Sequence, residues 1–349
     1  MIAALVCALA GVAGLIALAV AWGATPLLRG GLAAVIALHG APFGCLLLLL
    51  IDHLIPQHWS LKLDRVIEAS ALTMPFVGLA FVPLLLGLAS IWPWASVSPW
   101  PEGWPRREWL SGGFFAGRAV AFFLLWSLLA VLAATRTRGR TRPIMAAAGL
   151  IAWALTGALA GFDWQMSLEP PFRSTIFGLL FLENQTLTGL SFAVLATLAL
   201  GGERSPRPGP LAAVLLAVVL LWSYLAFMQY LIVWSGNLPH EIVFYLHRLT
   251  PGWHWLLRAI AALLGGLAFL VLLPGYVRHN RWRVAWVAGF VLVMRLVETS
   301  WLILPAWTDA DPLPLLLAYG AVLLALGGLW GAAFLSLLKR RSEVAHAGA

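Results

Sequence analysis

Charge is scarce in this chain. Lys and Arg number 22 and Asp and Glu 14, so charged residues make up 10% of the 349 positions while hydrophobic residues make up 62%. A water-soluble domain of this length has too little polar surface to cover so much apolar side chain. Cysteine is nearly missing. Cys7 and Cys45 both sit in apolar runs, where a lone Cys behaves as a small hydrophobe. There is no C-x-x-C-H sequence and no cysteine cluster, which excludes covalent haem and an iron–sulfur centre held by this chain. A basic soluble module is missing too. The formal charge of +8 therefore argues for anchoring beside anionic lipid and against nucleic-acid binding.

What the chain has in abundance is long apolar runs. In lipid every backbone polar group must pair internally, so such runs become helices. Ten spans are expected, at about 2–22, 31–54, 69–92, 112–134, 144–162, 173–200, 211–234, 253–276, 283–304 and 314–338. Each is close to or above the roughly 20 residues that cross a bilayer core. The expected fold class is an all-α polytopic membrane protein, a single integral membrane domain over 1–349. The first run has no basic start and is longer than a signal core, so it reads as a span.

The cations are placed asymmetrically. Lys62 and Arg65, then Arg136, Arg138, Arg140 and Arg142, then Arg204 and Arg207, then Arg278, Arg281 and Arg283, then Lys339, Arg340 and Arg341 each follow an even-numbered span. The other loops hold only Arg29, Arg106, Arg107, Arg173 and Arg248. Cytoplasmic loops are enriched in Lys and Arg, so the basic loops and both termini are expected on the cytoplasmic side.

Three stretches then face outward. The segment at about 93–111 is rich in Trp and Pro, including Pro93, Trp94, Trp100, Trp104 and Trp109. Proline denies it regular helix and tryptophan favours the lipid boundary, so it reads as an interfacial belt or a platform for a partner. The loop 161–178 carries Asp163, Glu169 and Arg173, and reads as a tight hairpin in which Asp163 or Glu169 pairs with Arg173. Ser174 and Thr175 would cap the helix that follows. Proton uptake or partner contact are the functional readings of that loop. The third stretch runs from Gln229 to Arg248. Ser235-Gly236-Asn237 breaks a span and Pro239 suits the first turn of a new helix. Ile242, Tyr245, Leu246 and Leu249 recur at helical spacing, which predicts a short amphipathic helix flat on the outer surface.

Charged groups also lie inside the spans, where each costs about 2.5–3.5 kcal/mol at a helix centre. Glu183 falls roughly 16 Å below the outer face at 1.5 Å per residue, and His39 about 12 Å. Arg118, Arg258 and Glu298 sit one to two turns in, with Arg295 one turn deeper. Arg295 and Glu298 are three apart and can pair on one helix face. Together His39, Asp163, Glu169, Glu183, Gln229 and Glu298 are candidates for a water-lined proton half-channel ending at Glu183. Arg118, Arg173, Arg258 and Arg295 are candidates for structural ion pairs, Arg118 and Arg258 also for snorkelling to the interface. His39 reads equally as a helix-packing donor. Asp52, His53 and Glu68 read as a hydrated helix end or a cytoplasmic proton port.

The motifs Met166-Ser-Leu-Glu-Pro170 with Ser174-Thr-Ile-Phe-Gly178, and Gln229-Tyr-Leu-Ile-Val-Trp-Ser-Gly-Asn-Leu-Pro239, resemble one membrane subunit of bacterial alternative complex III. That is the ActF-like, quinone-binding subunit 2 family, in the NrfD or polysulfide-reductase-like superfamily. Arg65-Val-Ile-Glu-Ala69, Phe81-Val-Pro-Leu-Leu85 and Trp92-Pro-Trp-Ala95 are similar too. The resemblance covers spans two to nine. It implies two four-helix bundles plus two flanking helices in a bacterial inner membrane, within a quinol:cytochrome c oxidoreductase of the respiratory chain. It implies a sister NrfD-like membrane subunit, multihaem and monohaem cytochrome c subunits and a periplasmic iron–sulfur subunit as partners. Haem and Fe–S would then sit only in those partners, with no intrinsic cofactor here beyond contact with quinone or quinol. Glu183-Asn184-Gln185 departs from the small or apolar residues expected there. The alternative function is a proton-coupled secondary transporter using Glu183 and His39, although no Gly/Pro break is visible at matched depths of two halves.

Overall fold

The computed structural model describes all residues except 56–62, 103, 105–106, 136–141, 201–205 and 348–349. Lys62, Arg106, Arg136, Arg138, Arg140 and Arg204 lie outside the described residues. Among the described residues there is no strand. Ten helices are long and apolar enough to cross a membrane, so the chain is a multi-pass, all-helical membrane protein. In chain order they are α1 (Ile2–Trp22), α2 (Ala24–Leu54), α3 (Asp64–Leu86), α4 (Gly112–Thr135), α5 (Arg142–Leu168), α6 (Phe177–Leu200) and α7 (Pro208–Gly236). A short surface helix, α8 (Pro239–Arg248), precedes α9 (His254–Leu272), α10 (Arg281–Ala306) and α11 (Pro312–Arg341).

The polarity is that of a lipid-solvated protein. Val20, Leu79, Leu86, Leu124 and Trp286 point outward, while Arg118, Asp163, Glu183, Arg295 and Glu298 are buried. Helix ends carry the local signals. Asn280 caps α10 by accepting from the backbone N–H groups of Trp282 and Arg283. Asn237 adopts the left-handed conformation (φ 48°) that ends α7, and Pro239 opens α8.

The spans pack around two helices. α2 and α6 are the most enclosed. α2 touches α3, α4 and α5, and α6 touches α7 and α10, with α9 between α7 and α10. α1 and α11 lie against each other and against α2. α2 and α6 meet at glycine. A Cβ added to Gly189 would lie 2.5 Å from the Gly44 Cα, and one added to Gly44 would lie 2.5 Å from the Gln185 carbonyl oxygen. Small residues permit such backbone approach where lipid offers no hydrophobic drive between helices.

Contacts at the helix ends divide the molecule into two faces. On one, Arg142 pairs with Asp52 at 3.5 Å and Arg341 with Glu68 at 3.3 Å. Arg281 donates to the Leu198 carbonyl there. Asp52 and His53 are buried, not the hydrated end considered from sequence. On the other face lie the 93–111 segment, the hairpin after α5 and α8.

Several boundaries and one winding differ from the sequence reading, α3 for instance running over Asp64–Leu86 where the apolar pattern places 69–92. α2 begins at Ala24, after Gly23 at φ 77°, and Arg29 within it donates to the Ser90 carbonyl. α6 begins at Phe177, and the Ser174 hydroxyl expected to cap it donates to Gln229 Oε1 instead. α9 is wound as a π-helix over Ile260–Leu267, an irregularity the apolar pattern does not announce.

Candidate functional site

The half of the helical bundle on the side of α8 and the hairpin after α5 holds three clusters built around buried arginines. The first joins α4 to α5. Arg118 Nε donates to Asp163 Oδ2 at 2.7 Å and Nη2 to Oδ1 at 3.0 Å, a bidentate pair. Trp109 Nε1 donates to the same carboxylate at 3.0 Å, and the Arg118 guanidinium lies 4.1 Å from the Trp109 ring and 4.3 Å from that of Phe114. Ser167 donates to the Asp163 carbonyl and accepts from the Trp94 indole at 3.2 Å. The Trp-rich segment is thus tied to the helix ends by polar bonds as well as by its affinity for the interface.

The second cluster clamps α8 to the hairpin. Arg248 Nη1 donates to Glu169 Oε2 at 2.7 Å, and His247 Nδ1 donates to Oε1 at 2.6 Å. Arg248 also donates to the carbonyls of Phe244 and Leu302, each at 2.6 Å. Phe244 stacks on Phe172 with centroids 4.3 Å apart. Burial pushes the Glu169 carboxyl up. The Arg248 charge and the bonds from His247 and Arg248 outweigh that and hold it below its ordinary value of 4.5. Burial likewise lowers Arg248, with Glu169 opposing.

These two clusters correct the expected hairpin. Asp163 pairs with Arg118 and Glu169 with Arg248, whereas Arg173 is exposed and lines an outer cleft with Glu241. Arg118 does not snorkel. Its partner is inside, and it is 9% exposed. Arg258 does reach outward, over the Trp255 ring at 4.7 Å. α8 buries Phe244, Tyr245 and Arg248 against the protein and leaves Leu246, and Leu249 just after it, exposed.

The third cluster is deepest. Arg295 and Glu298 form an ion pair on α10. Glu298 Oε1 also accepts from the Trp222 indole at 3.1 Å, and Arg295 Nε lies 3.5 Å from Thr188 Oγ1. Glu183 faces Arg295 closely enough for direct electrostatic attraction, yet neither of its carboxylate oxygens has a hydrogen-bond partner among the described residues. Nearer the surface, Ser174 donates to Gln229 Oε1 at 2.6 Å.

His39 is set apart from that cluster. Its Nδ1 donates to Gln185 Oε1 at 3.1 Å. The ring is enclosed by Phe43, Phe123, Trp126, Trp164 and Phe181, with centroids 4.6–6.3 Å away. This is a closed aromatic cage, not a stop on a hydrated path through Asp163 to Glu183. His39 Nε2 is buried and has no hydrogen-bond partner among the described residues. Among the described residues no group of three His, Cys, Asp or Glu could hold a metal ion.

Positions 183 and 185 explain the separation. Two residues rotate a helix by about 200°, so Glu183 and Gln185 leave α6 on nearly opposite sides. One faces α10 and the other α2. The polar run Glu183-Asn184-Gln185 serves both sides of a shared wall, and all three residues are buried. Sequence reasoning missed Gln185, Trp109, Trp222 and Arg248 as partners. The only signal for them was residue type. A tryptophan N–H or an arginine at a buried position needs an acceptor.

Charge bookkeeping isolates one residue. Among these clusters Asp163 and Glu169 each have an arginine of their own, Arg118 and Arg248, whereas Glu298 pairs with an Arg295 that Glu183 also faces. Glu183 is the surplus carboxylate, sharing Arg295 with a closer competitor. No protein-family model matches the chain, and no curated protein matches it.

Proposed function

We propose that this chain is an integral membrane subunit of an alternative-complex-III-like quinol:cytochrome c oxidoreductase in a bacterial inner membrane, of the NrfD-like superfamily. On this reading α2–α5 and α6, α7, α9 and α10 are its two four-helix bundles, α1 and α11 flank them, and both termini are cytoplasmic. It scaffolds periplasmic cytochrome c and iron–sulfur subunits beside a sister membrane subunit. Glu183 carries protons in its outer half.

The observation that carries the reading is the joining of the two motifs that resemble the family. The 166–178 motif and the 229–239 motif meet through Ser174 and Gln229, and Glu169 of the first is also held by His247 and Arg248 of the helix that follows the second. They form one outer surface, with a cleft of about 710 Å³ lined by Trp104, Met166, Arg173, Thr175 and Glu241. A surface built from both motifs suits a partner subunit, since aromatic residues and Arg are favoured at interfaces. The proton role draws support from Glu183, because its own charge lacks a dedicated cation and a proton can neutralise it. Redox chemistry belongs to the partners on this reading, since the sequence has no C-x-x-C-H and no cysteine cluster to hold covalent haem or an iron–sulfur centre. Mild detergent extraction from the native membrane is expected to retrieve the chain with c-type haem absorbance. A haem-free monomer from that membrane overturns the proposal.

A further inference from the structure

The turn between α9 and α10, with its short helix Gly275–Arg278, gathers arginine at one corner of the face opposite α8. Arg278, Arg281 and Arg283 fall within six positions. Arg207 joins them from the start of α7. A Cβ added to Gly209 there would lie 3.9 Å from the Arg278 carbonyl oxygen and from His279 Nε2. The end of α6 is at the same corner, since Arg281 donates to the Leu198 carbonyl.

Elsewhere on this face arginine is neutralised, Arg142 by Asp52 and Arg341 by Glu68. At this corner no carboxylate pairs with Arg207, Arg278 or Arg283 among the described residues. Arg278 is half-buried, and its Nε has no acceptor among them either. A partly buried guanidinium with an unused donor is unfavourable until an acceptor arrives.

Aromatic side chains rim the patch. Trp282 and Trp286 are one turn apart on α10 and are 58% and 78% exposed, and Tyr276 is 70% exposed. The Arg281 guanidinium lies 4.9 Å from the Trp282 ring and that of Arg283 5.2 Å from the Tyr276 ring. Exposed indole and phenol rings settle at the level of lipid head groups, which puts these guanidinium groups among phosphates. One turn deeper, the half-exposed Gly289 of α10 lies beside Leu195 of α6 and offers no side chain to fill the seam between the helices.

We infer that this corner binds the head of an anionic phospholipid, with Arg278 and Arg283 on the phosphate, Arg207 closing from α7 and an acyl chain lying along the α6–α10 seam. A planar guanidinium meets phosphate oxygens in pairs, which suits arginine to the task. The uncompensated charge favours a head of net negative charge over a zwitterionic one, whose ammonium the arginines repel. Basic pockets between helix ends hold phospholipid heads in this way. The site rests on this corner alone and stands whether or not the chain belongs to an electron-transport complex.

The test uses the full chain, with any subunits that accompany it, in phosphatidylcholine nanodiscs. The probe is a trace of phosphatidylglycerol carrying a photoreactive acyl chain, and adducts are mapped by peptide mass spectrometry. Adducts are expected within 195–200 and 282–293. The matching phosphatidylcholine probe is expected to label these peptides about tenfold less. Arg278→Gln and Arg283→Gln are each expected to cut labelling about fivefold, the usual contribution of one arginine beside anionic lipid. Arg283 is exposed, so its replacement leaves the fold intact. Arg340→Gln removes an exposed cation at the end of α11 and is expected to change nothing. Equal labelling by the two probes overturns the inference, as does an Arg283→Gln protein that labels like the parent. So does a loss in Arg340→Gln as large as in Arg283→Gln, which marks general surface charge. Displacement by soluble glycerol phosphate as complete as by unlabelled phosphatidylglycerol marks a site for free anions and overturns it too.

Discussion

Ser174 and Gln229 lie 55 residues apart and share a hydrogen bond of 2.6 Å. That bond joins the hairpin after α5 to the last turns of α7, and so links the two halves of the chain on the face that carries α8. It is one of several places where a residue expected to serve its own segment serves another.

Asp163 and Arg118 are the sharpest case. Removing one member of a buried pair leaves an uncompensated charge, at a cost of about 3–5 kcal/mol. Arg118→Leu is expected to lower the unfolding temperature strongly. The double variant Arg118→Leu with Asp163→Leu is expected to recover much of the loss. Thermal unfolding in nanodiscs checks this, and equal destabilisation by the single and double variants counts against a paired role.

The α8 clamp should loosen in acid. The Glu169 carboxyl is held below its ordinary 4.5 in the folded protein, so the unfolded chain binds its proton first as pH falls. The stabilisation is present in full above 4.5 and is lost as pH drops through the lower folded value. Hydrogen exchange in residues 239–248 is therefore expected to rise in that acid window. Glu169→Gln should show fast exchange at neutral pH with no further acid step from this group.

Glu183→Gln separates proton handling from architecture. It removes the surplus charge without changing shape, so unfolding temperature and partner retention are expected to hold or improve. Proton release per turnover of the purified complex should fall. Turnover and proton release equal to the parent would remove Glu183 from the mechanism.

Gly189→Val tests the α2–α6 crossing. Its added carbons meet the Gly44 backbone, which cannot move aside as a flexible side chain can. Overpacking of this kind typically costs about 1–3 kcal/mol. Unfolding temperature and the fluorescence of the Trp126 and Trp164 cage around His39 report it together.

Sidedness is testable without purification. A tag placed between residues 201 and 210 should be inaccessible to impermeant reagent in intact cells and labelled after lysis. A tag at 250–252 should behave oppositely. The reverse pattern would invert the orientation and undo the outer-platform proposal.

The spans were legible in the sequence because lipid leaves the backbone one solution for long apolar runs. The turn at Asn237 and Pro239 was legible because those residues suit a helix end and a helix start. Arg295 with Glu298 was legible because a three-residue spacing places both on one face. Partners on different helices were not. Arg118 and Asp163 are 45 positions apart, and no periodicity fixes how α4 and α5 are rotated toward each other. Arg173 misled because nearness in the chain stood in for nearness in space. The π-wound turn of α9 left no mark, since alanine, leucine and glycine fit either winding.

The α6 helix has one mechanical consequence. It holds the caged imidazole on one flank and the arginine of α10 on the other, and glycine contact with α2 allows it almost no clearance. Any screw or tilt of that rod must disturb both flanks at once. The inner polar groups of the two halves therefore share one wall, α6.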